Sequence, residues 1–273
     1  MPTKKNKKEN ELVLQKDFIV DENSPFLVTE AFRQMMSNIS FAVPKKENGQ
    51  GKIICISSAL ANEGKTTISS NVAVTFANSG YKTVLVDCDM RKPKIRKLFN
   101  LHGKKGLVDY LSGQCEFDEI LTKGVKENLD IVPTYKTAPN PNALFNSNEF
   151  ARLFDDLSKE YEYVIVDTPP ITIVSDGIVV STKSDGVILV TRPFYSDHRS
   201  IQSAINSITF AEAEFLGFVV NDLNFESGKK KGYYKKYYKY EYSEKPAEEI
   251  KKEDEVVQQE QPAQEQPKDN EDK

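Results

Sequence analysis

From residue 53 onward, short aliphatic and β-branched runs alternate with stretches whose apolar positions recur every three or four residues. Strands are predicted over residues 53–57, 83–87, 129–132, 163–167, 186–190 and 216–221, and helices over 65–79, 148–159, 176–183 and 197–208. Runs such as Val164-Ile165-Val166 and Val187-Ile188-Leu189-Val190 are apolar on both faces. Such strands lie between two helical layers, and their alternation with helices predicts a mostly parallel sheet with right-handed crossovers. Upstream, Ser24-Pro25 opens a predicted helix over 26–42, with Phe32, Met35, Met36, Ile39 and Ala42 forming an apolar stripe.

The two ends of the chain read differently. Residues 1–24 are rich in Lys, Glu and Asn and predict a flexible N-terminal segment. The globular part is expected over 25–228, followed by a Tyr/Lys tract over 229–242 and an acidic, disordered tail over 243–273. That tail holds eleven Asp/Glu against five Lys, whereas the whole 273-residue chain has a formal charge of −4. Residues 1–242 therefore carry a net charge of +2, and the overall balance hides a strongly acidic end.

Composition removes several chemistries. No run approaches the ~20 apolar residues of a membrane span, and no hydrophobic stretch follows the lysines of residues 1–8 as a secretion signal requires. A cytoplasmic chain is expected. Cys55, Cys88 and Cys115 share no CxxC spacing, so neither a disulfide framework nor a zinc ribbon is expected. His102 and His198 are the only histidines, and no HExxH or GxSxG pattern occurs.

The segment Ala59-Leu60-Ala61-Asn62-Glu63-Gly64-Lys65-Thr66-Thr67 follows a predicted buried strand and opens a predicted helix. Backbone amides in such a turn, with the helix dipole, form a polyphosphate cradle. In GxxxxGK[ST], Lys65 reaches the β- and γ-phosphates and the Thr66 hydroxyl ligates Mg²⁺. Ala59 stands where the pattern has its first glycine. Asp87 and Asp89 close one predicted strand, and Asp167, before Thr168-Pro169-Pro170, closes another. A parallel sheet delivers all these strand ends to one edge. A Mg²⁺–nucleotide site is expected there; capping of following helices is the plainer alternative for the aspartates.

The loop 59–67, the Asp87-x-Asp89-x-Arg91 strand end and the Asp167-x-Pro169 strand end resemble the Walker A, A′ and B motifs of the bacterial tyrosine kinases of capsule and exopolysaccharide synthesis. The similarity extends to the segments 106–113 and 139–142, and resumes in the tyrosine-rich end. Partition and septum-site ATPases share the loop but carry a lysine five residues before the main one, where this chain has Leu60. The resemblance implies a P-loop α/β fold with ATP and Mg²⁺ as cofactors. It implies that Asp87 takes the proton of the incoming hydroxyl, that Asp89 and Asp167 hold Mg²⁺, and that Asn221 contacts the base. Arg91 is expected either on a phosphate or bracing the aspartate pair. Glu30 and Arg33 match part of an ExxRxxR motif that joins subunits in a ring; Met36 replaces the second arginine. An amphipathic helix packed on its own domain is the other reading of that segment.

Tyr233, Tyr234, Tyr237, Tyr238, Tyr240 and Tyr242 lie within ten residues, broken by lysines rather than set at helix or strand spacing. They are the expected phosphoacceptors, modified in trans. Lysines interleaved with aromatics also suit single-stranded nucleic acid or an anionic membrane. Beside a nucleotide site of this branch the substrate reading prevails, and no nucleic-acid partner is expected. The resemblance further implies control of polysaccharide polymerisation and export, a separate transmembrane adaptor of the co-polymerase type recruiting the chain to the inner membrane face, and a cognate tyrosine phosphatase. A partition-type ATPase switch and a non-enzymatic regulator with a decayed loop are the alternatives.

Overall fold

The computed structural model describes residues 19–46 and 48–222. The tract 229–242 with its six tyrosines, and the acidic segment after it, lie outside the described residues. In chain order the elements are α1 (Phe26–Ala42), β1 (Lys52–Ser58), α2 (Lys65–Asn78), β2 (Thr83–Asp87), α3 (Ile95–Leu98), α4 (Leu107–Leu111), a 3₁₀ turn (Phe117–Glu119), β3 (Thr122–Lys126) and β4 (Leu129–Val132). Then follow α5 (Pro141–Phe145), α6 (Asn148–Glu160), β5 (Tyr163–Asp167), α7 (Asp176–Ser181), β6 (Gly186–Thr191), α8 (His198–Phe210) and β7 (Phe215–Val220).

The strands form one sheet in the order β3-β4-β2-β5-β1-β6-β7. All neighbours are parallel except β3, which runs antiparallel to β4. Strand period two splits the core into two layers. Ile53 and Cys55 face one layer with Phe145, Phe150, Leu153, Ala204 and Ile208. Ile54 and Ile56 face the other, with Ile39, Ile68, Val72 and Phe76. β1, β2 and β5 are buried along their whole length, as strands covered on both faces must be.

Two expectations need correction. Segment 122–126 was not predicted as a strand; its Lys-rich sequence builds a half-exposed edge strand whose register shifts. In α1, Ile39 is buried and Phe32, Met35 and Met36 pack on the α2 layer. Ala42 is exposed, and Val43, buried just past the helix end, takes the inward place. Glu30 and Arg33 pair with each other at 3.5 Å across one turn. No helix among the described residues is long and apolar enough to cross a membrane.

The centre of the α2 layer is aromatic: Phe76, with no exposed surface, stacks on Tyr163 with centroids 3.9 Å apart. Phe76→Ala should lower stability by about 3–5 kcal/mol, read as a fall in urea midpoint at unchanged m-value. An unchanged midpoint would show that this layer does not carry the sheet.

Candidate active site

The parallel register sets the site. Asp87 on β2 is level with Asp167 on β5, and Asp167 is level with Ile56 on β1, two residues before β1 ends. The strand order reverses direction around β1, so this C-terminal edge is where a ligand crevice forms. β1 runs directly into the loop, which enters α2 at Lys65.

The loop needs left-handed backbone at two positions, Asn62 (φ 63°) and Gly64 (φ 96°). Ala59 is not among the positive-φ residues, and its methyl is buried in the core. The missing first glycine therefore carries no backbone strain. At Gly64 even a methyl is excluded, since an added Cβ would lie 1.9 Å from Asn221 Nδ2. That amide donates to the Glu63 carbonyl at 3.0 Å. Asn221 thus holds the loop backbone in this structure, alongside its expected place near a base. Glu63 is fully buried: Leu60 N–H donates to its carboxylate at 2.7 Å, and Ser196 Oγ donates to the other oxygen. The side chain turns inward and braces the loop rather than facing a ligand.

The Thr66 hydroxyl donates to Asp167 Oδ2 at 2.8 Å. Asp167 Oδ1 is buried with no hydrogen-bond partner. Burial pushes the Asp167 carboxyl up, opposed by the nearby Lys65 ammonium and the Thr66 hydrogen bond. A buried carboxylate oxygen without a donor is costly, and a hard cation beside Thr66 removes that cost. The residues present therefore fit Mg²⁺. Among the described residues no three acidic, Cys or His side chains converge as a metal cage. A cation here fits one or two carboxylates, Thr66, phosphate oxygens and water, as Mg²⁺ prefers.

Asp87 is fully buried, and its two oxygens accept backbone N–H groups of Asp89 at 3.2 Å and Ile95 at 3.3 Å. Burial, then the charges of Asp167 and Asp89, hold its carboxyl well above the ordinary range. A carboxylate in that state is a stronger base than an exposed one. Asp89 is nearly buried and accepts from Lys92 N–H at 3.0 Å. Lys65, also nearly buried, opens α2, where the first helical amides have no helical acceptor. Ala61 and Asn62 complete the loop's turn, and Thr67 lies in the first turn of α2.

Arg91 goes elsewhere than expected. Its Nε and Nη2 grip Asp176 at 2.5 and 3.1 Å. Asp176 is buried and opens α7, beyond the loop that begins with the diproline after Asp167. The guanidinium thus ties the β2 end to the start of α7, rather than bracing Asp87 and Asp89 themselves. No pattern in the sequence marks Asp176 as a site residue; it reads there only as an acid at a predicted helix start. Asn142, from the 139–142 segment, donates to Ser175 Oγ at 2.6 Å and fastens the same helix end. A urea double-mutant cycle on Arg91→Ala and Asp176→Ala should give a coupling of about 1–2 kcal/mol, reduced by the exposure of the arginine. Simple additivity would show that the pair does not join the β2 end to α7.

Residues 51–215 match the AAA domain family. The tyrosine-protein kinase CpsD of Streptococcus agalactiae is 34% identical over 196 residues, covering 71% of this chain and 83% of that protein. The kinase domain of the Escherichia coli tyrosine kinase ETK has a TM-score of 0.70 and 28% identity, over 77% of this chain and 84% of that one. The chimerical protein CapA2B2 has a TM-score of 0.69 and 34% identity, over 75% of this chain and 88% of that one. With a phosphate loop, a threonine–aspartate pair and a second strand-end aspartate built at one sheet edge, and with these likenesses across most of its length, the chain belongs to the family of bacterial tyrosine-protein kinases of capsule biosynthesis.

Proposed function

We propose that this protein is a Mg-ATP-dependent protein-tyrosine kinase that phosphorylates, in trans, the tyrosines Tyr233, Tyr234, Tyr237, Tyr238, Tyr240 and Tyr242 of another copy's C-terminal tract. The observation that carries the reading is the orphaned, buried Asp167 Oδ1 beside the Thr66 hydroxyl, one strand from Asp87. That arrangement suits a site completed by a cation and phosphate rather than a finished structural core.

Mg-ATP supplies the transferable phosphoryl group and neutralising charge when bound. Lys65 and the amides of the loop and first turn of α2 hold phosphate oxygens. Thr66 and Asp167 hold the cation, with Asp89 acting on it directly or through water. Asp87 accepts the phenolic proton. A free tyrosine has a pKa of ~10, so few acceptors are ionised at neutral pH, and a base whose affinity for protons is raised by burial shortens that gap. Asn221 keeps the loop in register and lies at the base end of the site. Phosphates on the tract add roughly −1.5 to −2 charges each, turning a lysine-rich segment acidic.

The names of relatives support the biological setting. CpsD is a tyrosine-protein kinase, and CapA2B2 is a chimerical protein. The reading extends to control of capsular polysaccharide polymerisation and export. It extends equally to a transmembrane adaptor that brings a cytoplasmic kinase to the inner membrane face, a ring of copies joined through Glu30 and Arg33, and a phosphatase that resets the tract.

Mass spectrometry of the full chain after incubation with Mg-ATP tests this. The wild-type chain should carry phosphotyrosine within residues 233–242. Lys65→Met and Asp87→Ala should lower incorporation by at least ~10²-fold, and a chain with all six tyrosines changed to Phe should lose most of the label. Full labelling of Lys65→Met would place the chemistry elsewhere.

A further inference from the structure

The stretch that leaves the catalytic aspartates is unusually one-sided. Between residues 91 and 105 stand Arg91, Lys92, Lys94, Arg96, Lys97, Lys104 and Lys105, with no Asp or Glu among them. Arg91 is paired with Asp176 and Lys105 with Glu119. Lys92, Lys94, Lys97 and Lys104 are exposed, and none has an ion-pair partner among the described residues. This basic arm is fastened to the catalytic carboxylates through its backbone. Lys92 N–H donates to Asp89, and Ile95 N–H, between Lys94 and Arg96, donates to Asp87. Downstream, Leu101 N–H returns to the Arg96 carbonyl at 2.7 Å, keeping the arm compact. Its cations are thus held within a few residues of the proposed proton acceptor.

The geometry points to a docking function for this arm: it receives the acidic segment 243–273 of another copy and so presents that copy's tyrosine tract to Asp87. The inference rests on the kinase reading above, and it supplies what selects the acceptor. The charges are complementary where the two meet. The tract 229–242 holds six lysines against one glutamate, and the segment 243–273 that follows is acidic by six charges. On the enzyme, Asp87, Asp89 and Asp167 are buried, and the charge exposed beside them is that of the basic arm. Docked in one direction, the acidic segment meets the basic arm; reversed, the lysine-rich tract would meet it, and the two repel. Electrostatic matching of this kind chooses partner and orientation more than it adds affinity. It also explains why an acidic segment follows the tyrosines at all. With a Debye length of about 8 Å at physiological salt, the effect must weaken as salt rises.

The test uses the full wild-type chain as enzyme and the full Lys65→Met chain, which cannot label itself, as acceptor. An enzyme carrying Lys92→Gln, Lys94→Gln, Lys97→Gln and Lys104→Gln should show an acceptor KM raised about tenfold, each exposed pair contributing just under about a twofold factor. Its kcat and its KM for Mg-ATP should stay within twofold. Ending the acceptor at Tyr242 should raise the KM by a similar factor for wild-type enzyme and add nothing for the four-Gln enzyme. An unchanged acceptor KM, or fully additive effects, overturns the inference. So does a four-Gln enzyme that keeps its acceptor KM but no longer binds phosphatidylserine vesicles, which would assign the arm to a membrane surface. If the Lys65→Met chain takes no label from wild-type enzyme, the kinase reading fails instead. Docking is then decided by titrating a fluorescent 243–273 peptide into both full chains. Tenfold weaker binding to the four-Gln chain at low salt supports it, and equal binding overturns it.

Discussion

The site depends on one alignment of backbone: the parallel register that sets Asp87 level with Asp167, and Asp167 beside the end of β1. Everything chemical at this edge follows from that spacing. The Thr66–Asp167 hydrogen bond spans the loop to β5, and the free Asp167 oxygen remains turned into buried space. Two carboxylates side by side in the interior repel each other and are both disfavoured by burial. The fold sustains them because backbone amides, a lysine and a hydroxyl converge on the same few ångströms.

The surrounding structure can be understood as bracing for that tension. Arg91 and Asp176 lock the β2 end to α7, Asn142 fastens the same helix through Ser175, and Thr134 Oγ donates to the Asp87 carbonyl at 2.7 Å. On the other side, Glu63 and Asn221 tie the loop to the β6 and β7 ends through Ser196 and the Glu63 carbonyl. Side chains thus cross-link every strand end that borders the site. Rigid placement of this kind is what phosphoryl transfer draws on, since the reaction gains from positioning and charge compensation more than from covalent chemistry.

Much of this was legible in the chain itself. Strands apolar on both faces, such as 163–167, leave little choice but a sheet covered by two helical layers. Gly64-Lys65-Thr66 and the strand-end aspartates carried the site. Less legible was whatever depends on distant partners. β3 is lysine-rich and half exposed, so its pattern is too weak to separate from a loop. The short helices α3, α4 and α5 span a turn or so each, too little for periodicity to register. Arg91 meets an acid 85 residues away, and no local pattern announces it. Ala59 looked like decay of the loop, yet only the backbone angles show that the left-handed positions are Asn62 and Gly64. Glu63 looked like a ligand residue because of where it sits in the motif, whereas burial turns it into scaffold.

The central claim is that Thr66 and Asp167 form the protein's half of a divalent-cation site that exists for a nucleotide. Calorimetric titration of ADP into the full chain, with and without Mg²⁺, measures it most directly. The account predicts that Mg²⁺ tightens ADP binding to the wild-type chain about tenfold or more, and that Asp167→Asn binds ADP alone but gains almost nothing from the ion. An Asp167→Asn chain that kept the full Mg²⁺ enhancement would contradict it.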